Sequence, residues 1–175
     1  MNYRHAYHAG NHADVLKHLT LSRIFALLAK KEAPFAYLDS HAGIGLYDLS
    51  ADQASRTGEY LQGIARLWQA ADMPPLCDDY LRVVRELNPD GQLRYYPGSP
   101  ELARQLSREQ DHLHCNEKHP EDGQLLKENM HRFAKEVLRP SAMALDALSP
   151  DEVVADGSLY WDTWRQIQDL GMQNR

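Results

Sequence analysis

Apolar positions in the first forty residues fall into two successive patterns. Val15, Leu16, Leu19, Ile24, Leu27 and Leu28 recur at the spacing of a helix. Asn11 or Asp14 can start that helix, Lys30 and Lys31 suit its C-terminal end, and Pro34 stops it. FAYLD (35–39) is a short apolar run ending in an acid, which predicts a strand, and SHAGIG turns away from it at once. Residues 58–71 and 76–88 predict two amphipathic helices separated by MPP. PDGQ then makes a turn into LRYYP, a short strand.

GSP at 98–100 marks a helix start, with Ser99 as N-cap and Pro100 at the first helical position. That helix is expected over 99–110, and a second strand over 113–117 ends in Glu117. A further helix over 121–138 closes before Pro140. Downstream, SPDE (149–152) matches a capping box. Tyr160, Trp164 and Ile167 lie at helical spacing and suit a core face.

A chain of 175 residues, 43% hydrophobic and 25% charged, fits one soluble domain with a small insertion. No apolar run has the length of a membrane span, and MNYRHAYHAG has no apolar signal core. Cys77 and Cys115 form no CxxC pair, which suits a reduced, cytoplasmic setting. The net charge of −6 argues against a generally basic nucleic-acid binder. Its distribution is uneven. Residues 1–31 carry Arg4, Lys17, Arg23, Lys30 and Lys31 against Asp14 alone, a local patch that can approach phosphates. A solvated helix end is the plainer account of the same charges.

His5, His8 and His12 fall at i, i+3 and i+7, which one helical face could present to a metal. Gly10 and Asn11 interrupt such a helix, and neither Cys nor a tight carboxylate spacing completes a ligand set. No metal is expected.

With residues 47–97 set aside, the remaining order is strand (35–39), glycine turn (41–45), helix (99–110) and strand (113–117). This is the opening βαβ unit of a nucleotide-binding α/β fold, with an insertion between turn and helix. Gly43 and Gly45 let the backbone approach a ligand, and an acid at the second strand end can accept ribose hydroxyls. HAGIG lacks the full GxGxxG of dinucleotide sites, whereas a ligand without pyrophosphate needs only a looser turn and an acid.

YRHAYHAGNHADVLKH, YLDSHAGIGLY, RTGEYLQGIARLW, LRYYPGSP and NEKHPED, in that order over about residues 3–130, resemble blocks of the 23S rRNA (adenine-N6)-methyltransferase J family. The resemblance implies a Rossmann-like, S-adenosylmethionine-dependent methyltransferase core, here incomplete, with a small helical insertion. Residues 1–46 and 98–175 would form that core and 47–97 the insertion. It implies S-adenosylmethionine as cofactor, an adenine of 23S ribosomal RNA as substrate, and no membrane or metal partner. The family's cofactor contacts match Lys17, His18, His41, Ser99 and Glu117, and Tyr3 matches its RNA-facing tyrosine. His18 and Lys17 would neutralise the methionine carboxylate of the cofactor. Asp156 and Gly157, in VVADG, match its adenine-contacting Asp-Gly, later in the chain than the family pattern places it.

Enzymes of this family hold the target amine with a DPPY-like motif on a fourth strand, where acceptors take the N6 hydrogens and an aromatic stacks on the base. These 175 residues contain no such motif; Pro74-Pro75 stands in MPPL without an acid before it. The expectation is therefore a truncated, frameshifted or catalytically impaired member that retains its cofactor half-site. A non-catalytic RNA-binding or interaction module on the same scaffold is the alternative.

Overall fold

The computed structural model describes residues 4–133. After a 3-10 turn at His5–Tyr7 come α1 (His12–Leu28), β1 (Ala36–Asp39), β2 (Leu46–Asp48) and α2 (Asp52–Thr57). Next are α3 (Ile64–Gln69), α4 (Asp78–Glu86), β3 (Tyr95–Pro97), α5 (Ser99–Leu106), β4 (His112–Cys115) and α6 (Pro120–Phe133). The expected capping box at 149–152, the Asp-Gly at 156–157 and the terminal helix lie outside the described residues.

β1 and β4 pair in parallel, from Ala36 opposite His112 to Asp39 opposite Cys115. The strand–turn–helix–strand order thus closes as the sequence predicts, with α5 as crossover, although β4 ends at Cys115, two residues before the expected strand end at Glu117. β2 and β3 form a second, antiparallel pair, Tyr47 opposite Tyr96, which brings the two ends of the inserted segment together. The architecture is a mixed helix and strand fold. No helix among the described residues is long and apolar enough to cross a membrane.

The inserted helices do not pack by themselves. Ala54 of α2, Ile64 of α3 and Tyr80, Leu81, Val83 and Val84 of α4 join one buried cluster with Val15 of α1, Tyr96 of β3 and Leu102 of α5. Asn88 anchors α4 to β3: its Nδ2 donates to the carbonyls of Val84 and Tyr95, and its Oδ1 accepts from the N–H groups of Arg94 and Tyr95.

Four local expectations are corrected. The helix expected over 58–71 breaks at Gly63, whose backbone lies against Gly10 and Asn11, leaving a 3-10 turn at Glu59–Gln62 and the short α3. The helix expected to reach 110 ends at Leu106, because Arg108 turns to Asp111 through its backbone N–H and its guanidinium. Gly98, not Ser99, is the cap of α5. The Ser99 hydroxyl instead donates to Asp39 Oδ2 at 2.6 Å.

The fourth concerns the buried face of α1. Its buried residues are Asp14, Val15, His18, Ser22 and Phe25, while Leu16 and Leu27 are 68% and 54% exposed. Apolar periodicity finds Val15 and Leu19 of the inward face but not its polar members, which are three of the five buried side chains.

Candidate functional site

A cavity of about 540 Å³ opens at the C-terminal ends of β1 and β4. Lys17, His18, His41, Ser99 and Glu117 all line it, so five positions scattered over a hundred residues meet at one place. Tyr3, Asp156 and Gly157 lie outside the described residues.

Glu117 organises the floor. Gly43 N–H donates to its Oε2 and His119 N–H to its Oε1, each at 2.8 Å. One carboxylate thereby joins the glycine turn to the start of α6, and each oxygen keeps a lone pair for a hydroxyl. Gly43 has φ +63°, and a Cβ there would fall against the Tyr47 hydroxyl, so the turn leaves no room for a side chain. Asn129 of α6 steadies the same turn by donating to the Ile44 carbonyl at 2.7 Å.

Asp39 is the hub beneath the turn. Its Oδ2 accepts from the Ser99 and Tyr37 hydroxyls, and its Oδ1 from the His41 N–H at 3.1 Å. Lys17, His41 and Ser99 also border a second cavity of about 510 Å³, lined on its far side by Leu21, Ile24 and Tyr37.

The α1 wall holds groups that the sequence reading did not place in the site. Asp14, 3% exposed, accepts from His5 Nε2 at 2.7 Å, Lys17 Nζ at 2.8 Å and Gly10 N–H at 3.1 Å. Burial alone would raise its pKa, but the His5 hydrogen bond and neighbouring positive charge hold the carboxyl well below the usual range. His5, Asn11, Tyr47, His119 and Asp122 complete the lining. A signal for Asp14 was available: Asp14, Lys17 and His18 stand at i, i+3 and i+4 on a helix capped by Asn11.

His18 differs from its expected role. It is 1% exposed, stacks on Tyr96 with ring centroids 5.6 Å apart, and shares a 2.9 Å hydrogen bond between Nδ1 and the Tyr96 hydroxyl. Burial pushes its pKa down to about 4, against the pull of Asp14. At neutral pH the ring is uncharged, so it cannot neutralise a carboxylate; of the pair only Lys17 brings positive charge, and Asp14 already shares it. The shift has a consequence for stability. The unfolded chain binds a proton at His18 below about pH 6.5, and the folded chain only near pH 4. Stability is therefore full above pH 6.5 and falls as pH drops toward 4, by a total on the order of 3 kcal/mol from this residue. Urea denaturation across this window is expected to show a shallower fall in a His18→Gln variant than in the parent.

Several of the N-terminal histidines and cations are occupied within the chain. His5 bonds Asp14, and His8 bonds Glu59. α1 begins only at His12, so His5, His8 and His12 share no helical face. Arg4 pairs with Glu121 and Asp122, Lys17 with Asp14, and Arg23 with Asp79, which removes three of the five cations from the expected basic patch.

Comparison with known proteins bears on this cavity. Residues 32–142, more than half the chain, match the family described as "Ribosomal RNA large subunit methyltransferase D, RlmJ". The chain belongs to this family. Within the RlmJ family, it is 54% identical over 135 residues to the protein named ribosomal RNA large subunit methyltransferase J of Escherichia coli K12. Identity to the protein of the same name from Haemophilus influenzae is 47% over 130 residues. These matches cover 77% and 74% of this chain but 48% and 46% of the relatives, so the chain spans about half their length. A crystal structure of protein LPL1258 from Legionella pneumophila superposes with a TM-score of 0.63 at 41% identity, covering 67% of this chain and 43% of that one. The matched family segment contains β1, the glycine turn, Ser99, β4 and Glu117, the whole floor of the cavity.

Proposed function

We propose that this chain carries the cofactor half-site of an rRNA methyltransferase. In this reading it binds S-adenosylmethionine in the 540 Å³ cavity, on a Rossmann-like core interrupted by the insertion at 47–97. It would serve N6-methylation of an adenine in 23S ribosomal RNA, in the cytoplasm where relatives of that name would meet their substrate. The carrying observation is the doubly anchored Glu117 facing a glycine turn that a single Cβ would fill.

The residues fit that group. Glu117 would take the ribose hydroxyls, and Lys17 and uncharged His18 would meet the carboxylate end, one by charge and one as a hydrogen-bond donor. His41 and Ser99 would border the middle. When bound, S-adenosylmethionine supplies a methyl group activated by its sulfonium. The chain's own part is to orient that ligand: a pocket whose walls are tied to one another before binding loses less freedom on closing around it.

A non-catalytic RNA-binding role on the same scaffold is the second reading. Two measurements separate them. Calorimetry with S-adenosylmethionine is expected to show one saturable site per chain, and no heat of binding would sink the cofactor reading. Transfer of labelled methyl to unmodified large-subunit RNA at a rate comparable to that of the Escherichia coli relative, run beside it, would exclude the non-catalytic reading.

A further inference from the structure

Behind His18 lie two buried tyrosines, Tyr96 and Tyr80, that the cofactor reading does not use. Tyr80 and Tyr96 are each 0% exposed, and the Tyr80 hydroxyl donates to the Tyr96 oxygen at 3.1 Å. The Tyr96 hydroxyl in turn meets His18 Nδ1 at 2.9 Å. The three come from α4, β3 and α1, His18 lying 78 residues from Tyr96 in sequence.

The direction of these bonds follows from giving every hydrogen on the side away from the cavity an acceptor. With Tyr80 donating to Tyr96, the Tyr96 hydrogen goes to Nδ1, and a neutral imidazole then carries its own hydrogen on Nε2. The reverse chain, Nδ1–H to Tyr96 and Tyr96 to Tyr80, leaves the Tyr80 hydrogen buried without an acceptor among the described residues, which costs about 1–3 kcal/mol. His18 Nε2 makes no hydrogen bond among the described residues, and the ring lines the cavity.

We propose that Tyr96, held by Tyr80, is a positioning residue that sets the His18 tautomer, so that Nε2–H is presented to an acceptor oxygen of the bound cofactor. This deepens the cofactor reading above and rests on it. A charged His18 would attract any anion from any direction; an uncharged ring locked from behind offers one donor along one line. The stack of His18 on Tyr96, with planes inclined by 26°, fixes that line further. Tyr96 itself touches no ligand and acts only through the ring.

The test pairs nitrogen NMR of histidine-labelled chain with calorimetry against S-adenosylmethionine. His18 of the unaltered chain is expected as the Nε2–H tautomer. In Tyr96→Phe the ring loses its donor partner, a mixture of tautomers appears, and affinity falls roughly five- to tenfold, the size of one neutral hydrogen bond. In a His18→Gln background the same Tyr96→Phe change is expected to cause no further loss, which a purely structural role for Tyr96 would not produce. An Nδ1–H tautomer in the unaltered chain, or unchanged tautomer and affinity in Tyr96→Phe, overturns the proposal. Should Tyr96→Phe fail to fold, the tautomer of the unaltered chain decides alone. Absence of cofactor binding by the unaltered chain would sink the cofactor reading instead, and the tautomer would still decide the role of Tyr96.

Discussion

Replacing Glu117 with alanine is expected to lower affinity for S-adenosylmethionine by about a hundredfold or more. The carboxylate accepts two backbone N–H groups, from Gly43 and His119, and the proposed site adds ribose hydroxyls to it. Hydrogen bonds to a charged acceptor contribute about 1.5–3 kcal/mol each, so losing the acceptor to the ligand and the brace on the turn costs about 3 kcal/mol or more in binding. Glu117→Gln keeps a carbonyl for one of the two backbone donors, and an intermediate loss of about tenfold is expected. The side chain is only partly buried, so the melting temperature should move little in either variant. Calorimetry reads both changes. An alanine variant binding within twofold of the parent would show that ligand recognition lies elsewhere.

Gly63→Ala is the substitution expected to damage the fold most for the fewest atoms added. Gly63 sits where a Cβ would fall against the Gly10 carbonyl oxygen and within 2.8 Å of the Asn11 Cα. Both obstacles are backbone, so neither can rotate aside. Relief requires separating the 63–64 segment from residues 10–11, which breaks the bond from Ile64 N–H to the Gly10 carbonyl. Asn11 then loses its seat. Its Oδ1 caps α1 through Asp14 N–H, and its Nδ2 donates to Glu59. A loss of about 3 kcal/mol or more is expected, equivalent to roughly 10 °C in melting temperature for a domain of this size. Because α1 carries Asp14, Lys17 and His18, cofactor affinity should fall with it. Thermal melts and calorimetry on one preparation check both effects; a variant melting within 2 °C of the parent would mean that the contact yields cheaply.

These two residues mark the limits of what the sequence shows. Glu117 was legible because its chemistry is local: an acid closing an apolar run, after a glycine turn and a helix start, has few other uses in a βαβ unit. The parallel pairing of β1 with β4 was legible for the same reason, since a right-handed crossover leaves little freedom in where the second strand goes. The resemblance in five ordered blocks carried the family, and the proposed ligand and contacts at Lys17, His18, His41, Ser99 and Glu117 rest on it. All of these are properties of short segments.

The remainder depends on which surfaces meet. Nothing in QGIA tells that Gly63 faces Gly10, because that contact joins segments fifty residues apart. The polar face of α1 is buried because the cavity and the Tyr80–Tyr96 pair lie against it: His18 bonds Tyr96, Asp14 accepts from His5 and Gly10, and Ser22 donates to the His18 carbonyl of its own helix. Periodicity weighs residues by hydrophobicity alone; it named Val15 and Leu19, which face the core, together with Leu16 and Leu27, which do not. Ser99 read as a helix cap, yet its hydroxyl prefers Asp39, a carboxylate that only the crossover brings within 2.6 Å. The charge of His18 was decided the same way. A histidine beside a lysine reads as a cation, and only its burial against Tyr96, which outweighs the pull of Asp14, makes it a neutral ring. Sequence determined the order of elements and the chemistry that each could offer. Tertiary structure decided which groups are desolvated and paired, and desolvation sets both the charge of a side chain and the direction of its hydrogen bonds.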